Sequence, residues 1–158
     1  MTEIRMLSTS GILGYGFPEA SLEASLARDP HIIGVDGGSV DPGPFYLGSG
    51  KPFCSITAIR RDLRLMLKAA IPRGIKVVIG TCGGAGGRPH LELVARLARE
   101  IAAEEDLSFK LALIHAEQTA ASVQERIVQG AVAPLGRMEE LSADTVERAE
   151  RVVGMMGP

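Results

Sequence analysis

Val77-Val78-Ile79-Gly80-Thr81-Cys82-Gly83-Gly84-Ala85-Gly86-Gly87-Arg88-Pro89-His90 is the stretch whose reading decides the fold. A short apolar run, Lys76 to Ile79, passes into a glycine-rich turn, and a helical pattern starts at Leu91. An unbroken apolar run of that length reads as a strand covered on both faces. The glycines permit φ > 0 and bring bare backbone N–H groups close to whatever sits above them. A glycine-rich turn that leaves a strand and opens a helix is suited to anions, because free N–H groups and the helix dipole both point outward. The spacing excludes two familiar versions. No Gly-Lys-Ser/Thr follows, and the turn does not stand after the first strand with dinucleotide-fingerprint spacing. Gly83, Gly84, Gly86 and Gly87 therefore present N–H groups to a phosphate or carboxylate with Arg88 as counter-charge, or else make a tight turn that packing requires. Cys82 reads as a small semi-buried residue, with a thiol activated by the helix N-terminus as the alternative.

Working outward, the same strand-loop-helix unit recurs. Ile4 to Leu7 is a strand, followed by the loop Ser8 to Phe17 and a helix from Pro18 to Arg28. Ile32 to Val35 is the second strand, and Asp36 to Gly50 after it is about fifteen residues of turn chemistry, a length that is usually functional. From Ser55 to Ala70 the apolar positions Ile56, Ile59, Leu63, Met66, Leu67 and Ala70 mark an amphipathic helix. Its Arg60, Arg61, Arg64 and Lys68 read as a solvated face or an oligomer contact, and Pro72 and Gly74 end it. A helix from Pro89 to Glu104 follows the glycine turn. Phe109 to Ile114 reads as a fourth strand, ending in His115-Ala116-Glu117. A helix over Thr119 to Gln129 comes next, and a last one, N-capped by Ser142, carries its apolar face to Val153. The expectation is α/β: a single three-layer Rossmann-like domain over residues 1–158, with a parallel sheet of at least four strands and right-handed crossovers. In such a sheet ligands bind outside the carboxyl ends of the strands, where strand order reverses.

Those ends collect the chemistry. Asp36 and Asp41 flank Gly37-Gly38-Ser39, and two carboxylates there can hold a metal, orient hydroxyls or exchange protons. The alternative for Asp36 is an Asx-turn, and for Asp41-Pro42-Gly43 a simple turn. His115 and Glu117, two apart, point to one side if the strand continues, as a metal-ligand or base-and-orienter pair; otherwise one of them caps the following helix. The candidate catalytic residues are thus Asp36, Asp41, His115 and Glu117. The candidate cofactor-binding residues are Ser10, Gly11, Gly37, Gly38, Ser39, Gly83, Gly84, Gly86 and Arg88. His90 reads as a solvated residue at a helix start, and His31, at the opposite edge, as structural.

Composition narrows the classes. The chain has 158 residues, 46% apolar and 23% charged, with net charge −2, which gives no footprint for nucleic acid or a membrane surface. No apolar run approaches the roughly 20 residues that cross a bilayer. The start lacks the build of a signal peptide, and two cysteines fit a reducing cytoplasm. No residue pattern settles whether a metal is used.

Ser10-Gly11-Ile12-Leu13-Gly14-Tyr15-Gly16, Val35-Asp36-Gly37-Gly38-Ser39-Val40-Asp41-Pro42-Gly43-Pro44, Gly80-Thr81-Cys82-Gly83-Gly84-Ala85-Gly86 and Ile114-His115-Ala116-Glu117 together resemble the N-terminal region of the acyclic terpene utilisation family. The Asp-Gly-Gly-Ser-x-Asp-Pro-Gly run is the most specific part. The resemblance implies catabolism of acyclic isoprenoids such as citronellol and geraniol through acyl-CoA intermediates, and carries over no catalytic residues. Family members are longer, which implies that this chain is the N-terminal part of a larger architecture. The apolar tail Val152 to Pro158 is expected to pack against something outside the chain. Residues and resemblance together suggest an enzyme or enzyme domain acting on a small organic acid or its CoA thioester. A hydro-lyase or isomerase reaction suits the carboxylates better than hydride transfer. A CoA thioester or a divalent metal is the expected cofactor, and a homo- or hetero-oligomer the expected assembly. The alternative is a non-catalytic nucleotide- or CoA-binding module, or an assembly subunit.

Overall fold

Three short strands run side by side in a computed structural model that describes residues 3–154. They are β1 (Met6–Ser8), β2 (Ile32–Asp36) and β3 (Lys76–Gly80), all parallel and in the order β1-β2-β3. Met6, Ile32 and Lys76 share one row, and Ser8, Gly34 and Val78 another. Between and after them come α1 (Glu19–Leu26), α2 (Pro44–Ser49), α3 (Ile56–Ala70) with a 3-10 turn at Ile71–Arg73, and α4 (Arg88–Glu104). These belong to the first of two compact units, Met1–His115 and Ala116–Pro158.

Local chemistry places the two long helices where the spacing predicts them. The Ser55 hydroxyl caps α3 by accepting from Ala58 N at 3.2 Å, and Gly74 at φ 67° closes the following turn. The α3 stripe Ile59, Leu63, Met66, Leu67 and Ala70 joins Leu91, Val94, Leu97, Ala98 and Ile101 of α4 in one core. Above that core three of the four basic residues of α3 bridge to the end of α4 rather than standing alone in water. Arg60 meets Glu100 at 2.6 Å and also pairs with Glu104; Arg64 pairs with Glu104 and Glu105; Lys68 meets Glu105 at 2.8 Å.

The fold differs from the three-layer Rossmann-like expectation in two ways. The first is the fourth strand. Phe109 to Ile114 joins no ladder, so the parallel sheet has three strands among the described residues. Leu107, Phe109 and Leu113 do pack on the core, while Leu111 and Ile114 are 42% and 68% exposed. An apolar, strand-prone segment can lie extended on the core, but pairing needs a matching edge as well. The second is the missing layer. Leu7, Ile33, Val35, Val77 and Ile79 face the helices, whereas Met6 and Val78 on the other face are 70% and 56% exposed. Within the first unit, sheet and helices make two layers with one core. The order β1-β2-β3 also contains no reversal, so there is no switch-point crevice among the described strands.

The second unit has its own small sheet, β4 (Glu117–Gln118) antiparallel to β5 (Val152–Val153). Thr119 caps α5 (Ala120–Val128) and Ser142 caps α6 (Ala143–Arg148), each hydroxyl accepting a backbone N–H three residues on. The last helix ends at Arg148, short of the expected Val153, because Val152 and Val153 are taken into β5. Residues 155–158 of the apolar tail lie outside the described residues. Among the described residues no helix is long and apolar enough to cross a membrane.

Candidate ligand-binding rim

Parallel pairing brings the loops after β1, β2 and β3 to one edge, and backbone hydrogen bonds tie them together. Leu13 N donates to Asp36 O at 2.7 Å, and Gly37 N to Gly80 O at 2.6 Å. The second and third loops touch backbone to backbone. A Cβ on Gly37 would sit 2.5 Å from the Gly80 oxygen, and one on Gly38 would overlap the N and Cα of Gly84. Glycine at these two positions is therefore required by the approach of one loop to the other. Asp36 is exposed, with Oδ1 accepting from Gly38 N at 3.1 Å, the geometry of an Asx-turn. The Ser39 hydroxyl accepts from Asp41 N at 3.2 Å, and Asp41 is exposed.

The loop after β1 receives its anion from the chain itself. Asp62 on α3, 1% exposed, accepts from Gly14 N and Gly16 N at 2.9 Å each through Oδ2, and from Arg61 at 2.9 Å through Oδ1. The Ser10 hydroxyl donates to Ile12 O at 3.0 Å, and Gly11 is exposed. Asp62 escapes notice among the charged residues of α3, yet it stands three after Ile59 and four before Met66. A carboxylate in the apolar stripe is the signal that identifies it.

The loop after β3 is compact and glycine-dependent, with φ of 72° at Gly83 and 70° at Gly86. Gly83 and Gly84 are buried, and the Gly83 oxygen accepts from Phe53 N at 3.0 Å. The helix α4 that follows has Gly87 at its N-cap position with no side-chain cap, Arg88 and Pro89 opening the first turn. Arg88 is exposed. Cys82 is buried, its Sγ 3.6 Å from Ile79 O, and burial pushes its thiol pKa up. Burial, and then the Asp62 charge, raise that of Cys54 as well. Neither is an activated thiolate.

His90 is not the solvated residue its position at the start of a helix suggests. It is wholly buried, with Nε2 2.8 Å from the Lys51 oxygen. A carbonyl only accepts, so Nε2 carries the proton, and Nδ1 is left without a partner. Through this bond, Phe53 N–Gly83 O and the contact of Gly50 with Pro89, the segment around α2 is fastened to the start of α4.

That segment carries three of the rim's aromatic rings, and the loop after β1 carries the fourth, Tyr15. Phe45 and Tyr46 are 5.3 Å apart, Tyr46 and Phe53 5.4 Å, and Phe53 and Tyr15 6.4 Å between centroids. The sequence shows each ring separately; only the fold lines them up.

His115 and Glu117 are placed otherwise. The strand that was to present them is not formed, His115 ends the first unit, and Glu117 begins β4 in the second. Thr119, not either of them, caps the next helix. Among the described residues no group of three His, Cys, Asp or Glu side chains is arranged to hold a metal. An open recess lined by Pro89, Glu92, Leu93, Arg96, Arg99 and Glu100 lies on the outer face of α4 and shares only Pro89 with the rim's loops. Comparison with protein-family models, curated proteins and solved structures finds no match.

Proposed function

We propose that the rim formed by the loops after β2 and β3 binds a small anionic ligand, an organic acid or its CoA thioester. The observation that carries this reading is the N-terminus of α4, a helix of 17 residues that opens at Gly87 without a side-chain cap, with the cation Arg88 at its first position. Such an end attracts carboxylate and phosphate through its dipole; Pro89 has no N–H and the His90 amide donates to Gly87 O at 3.0 Å, so the dipole and the Arg88 charge carry the attraction. The interlocked loops support it by holding that end in one geometry before any ligand arrives. Asp36, exposed at the end of β2, is the group suited to proton exchange with the bound acid, and Asp41 follows it in the same loop. The Asp-Gly-Gly-Ser-x-Asp-Pro-Gly run supports kinship with acyclic terpene utilisation proteins, and with it chemistry of the hydro-lyase or isomerase type on an isoprenoid acid or thioester.

A non-catalytic CoA- or nucleotide-binding module is the second reading. It is favoured by the absence of a fourth parallel strand among the described residues, since the pairing of His115 with Glu117 depended on that strand. Calorimetric titration with small carboxylates, CoA and branched acyl-CoA thioesters tests both. Binding is expected, weakened about tenfold by Arg88→Ala through loss of one charge-assisted contact. Asp36→Asn should leave binding intact and abolish turnover under the first reading, while under the second the unaltered protein turns nothing over. Absence of binding to every member of the panel would defeat both.

A further inference from the structure

Tyr15, Phe45, Tyr46 and Phe53 are four of only six aromatic residues in the chain, and they touch in succession, Phe45–Tyr46 and Tyr46–Phe53 edge to face at 82° and 84° and Phe53–Tyr15 tilted at 46°, a row that leaves its two end rings most open. The two middle rings are half-buried, but Tyr15 is 61% and Phe45 60% exposed. A chain poor in aromatic residues has little reason to gather them at a wet edge unless their faces are used. The row is also prepared in advance. Asp62 pins the amides on either side of Tyr15, and the Lys51–His90 and Phe53–Gly83 bonds pin the backbone from Lys51 to Phe53. Rings with few torsions, fixed beforehand, give contact area at small entropic cost.

The charge at one end selects the ligand. Lys51 Nζ lies 5.9 Å from the Phe45 ring centroid, so an ammonium group stands over that end, while the Tyr15 ring at the other is 61% exposed. A flat π-system with an anionic group on one side matches this pattern, since bases stack on aromatic side chains and a nearby cation meets the phosphate. We infer that the row from Tyr15 to Phe45 is the binding surface for the adenine ring of an anionic nucleotide, with Lys51 meeting its phosphate. The inference rests on the anion-binding reading above and specifies the part of the ligand that reading leaves open. The nucleotide is either free or the nucleotide portion of CoA.

The chain has no tryptophan and two tyrosines, and both tyrosines lie in the row. Tyrosine fluorescence of the full chain, excited on the red edge of the band, therefore reports on this surface alone. ADP, adenosine bisphosphate and CoA are expected to quench it and to compete with one another, while phosphopantetheine and inorganic phosphate leave it unchanged. By calorimetry, Tyr15→Ala should weaken ADP and CoA about tenfold, the equivalent of one lost stacking contact. Lys51→Ala should weaken both and flatten their salt dependence. The altered side chains are largely exposed, so unchanged circular dichroism melts are expected. ADP binding alone assigns the free nucleotide, and CoA binding far tighter than ADP assigns the cofactor; either supports the inference. Equal affinity for CoA and phosphopantetheine, or indifference of both nucleotides to Tyr15→Ala, would overturn it and leave the anion reading standing. Failure of carboxylates, CoA and nucleotides alike would end both.

Discussion

Asp62 and the glycines around the rim show how one residue type can serve two physical purposes. Gly14 and Gly16 supply amides to a carboxylate, but the carboxylate belongs to α3; Gly37 and Gly38 are small because another loop lies against them. Removal of the Asp62 side chain leaves two N–H groups of a partly buried loop unpaired, and each unsatisfied group costs about 1–3 kcal/mol. Asp62→Ala is thus expected to destabilise the protein by about 2–4 kcal/mol, read as a shifted midpoint in urea unfolding. Asp62→Asn keeps an acceptor oxygen and should recover part of that loss. An alanine variant within about 0.5 kcal/mol of the parent, the range of an ordinary surface change, would show that solvent satisfies the loop. The sequence displayed the glycines plainly and their partners not at all, because a close approach between loops leaves no mark on spacing within either one.

At the scale of elements, α3 and α4 were legible because both carry a 3.6-residue apolar period over four turns or more. Their charged seam was not, since spacing along one helix says nothing about what faces it. Hydrogen bonds from Arg60 and then Arg96 hold the Glu100 carboxyl below its usual 4.5, and Lys68 does the same for Glu105. A carboxylate with a depressed folded pKa adds stability that is fully present above its unfolded value and lost as pH falls through the folded one. The seam should therefore be intact near neutrality and weaken below about pH 4.5. In thermal melts across the acid range, Glu100→Gln with Glu105→Gln should show a shallower fall in Tm than the parent. High salt should lower the parent's Tm toward that of the variant, because these pairs are partly exposed and so screened in part. Parallel acid profiles would show that the seam does not contribute. The segment Phe109 to Ile114 marks the opposite limit: Phe109 and Leu113 pack on the core while Leu111 between them is 42% exposed, and a six-residue apolar pattern cannot report whether a neighbouring edge is free.

For the molecule as a whole, the decisive misreading lay in Lys76 to Ile79, where three consecutive apolar residues imply cover on both faces. The strand has it on one. Val77 and Ile79 pack on the core while Val78 between them is 56% exposed, in the row that holds Ser8 and Gly34. Strand propensity alone accounts for a valine there, since β-branched side chains suit a pleated surface whether or not a second layer covers it. One substitution made on both faces of the sheet separates the two architectures. Val→Thr keeps shape and propensity and adds a hydroxyl, which costs about 1–3 kcal/mol where it is buried without a partner. Val35, 6% exposed on the helix side of β2, should show that loss as Val35→Thr. Val78→Thr, on the open face of the neighbouring strand, should stay within about 0.5 kcal/mol. Urea unfolding of both variants against the parent gives the comparison directly. Equal losses at the two positions would mean that the outer face of the sheet is covered in solution, and that the third layer is present after all.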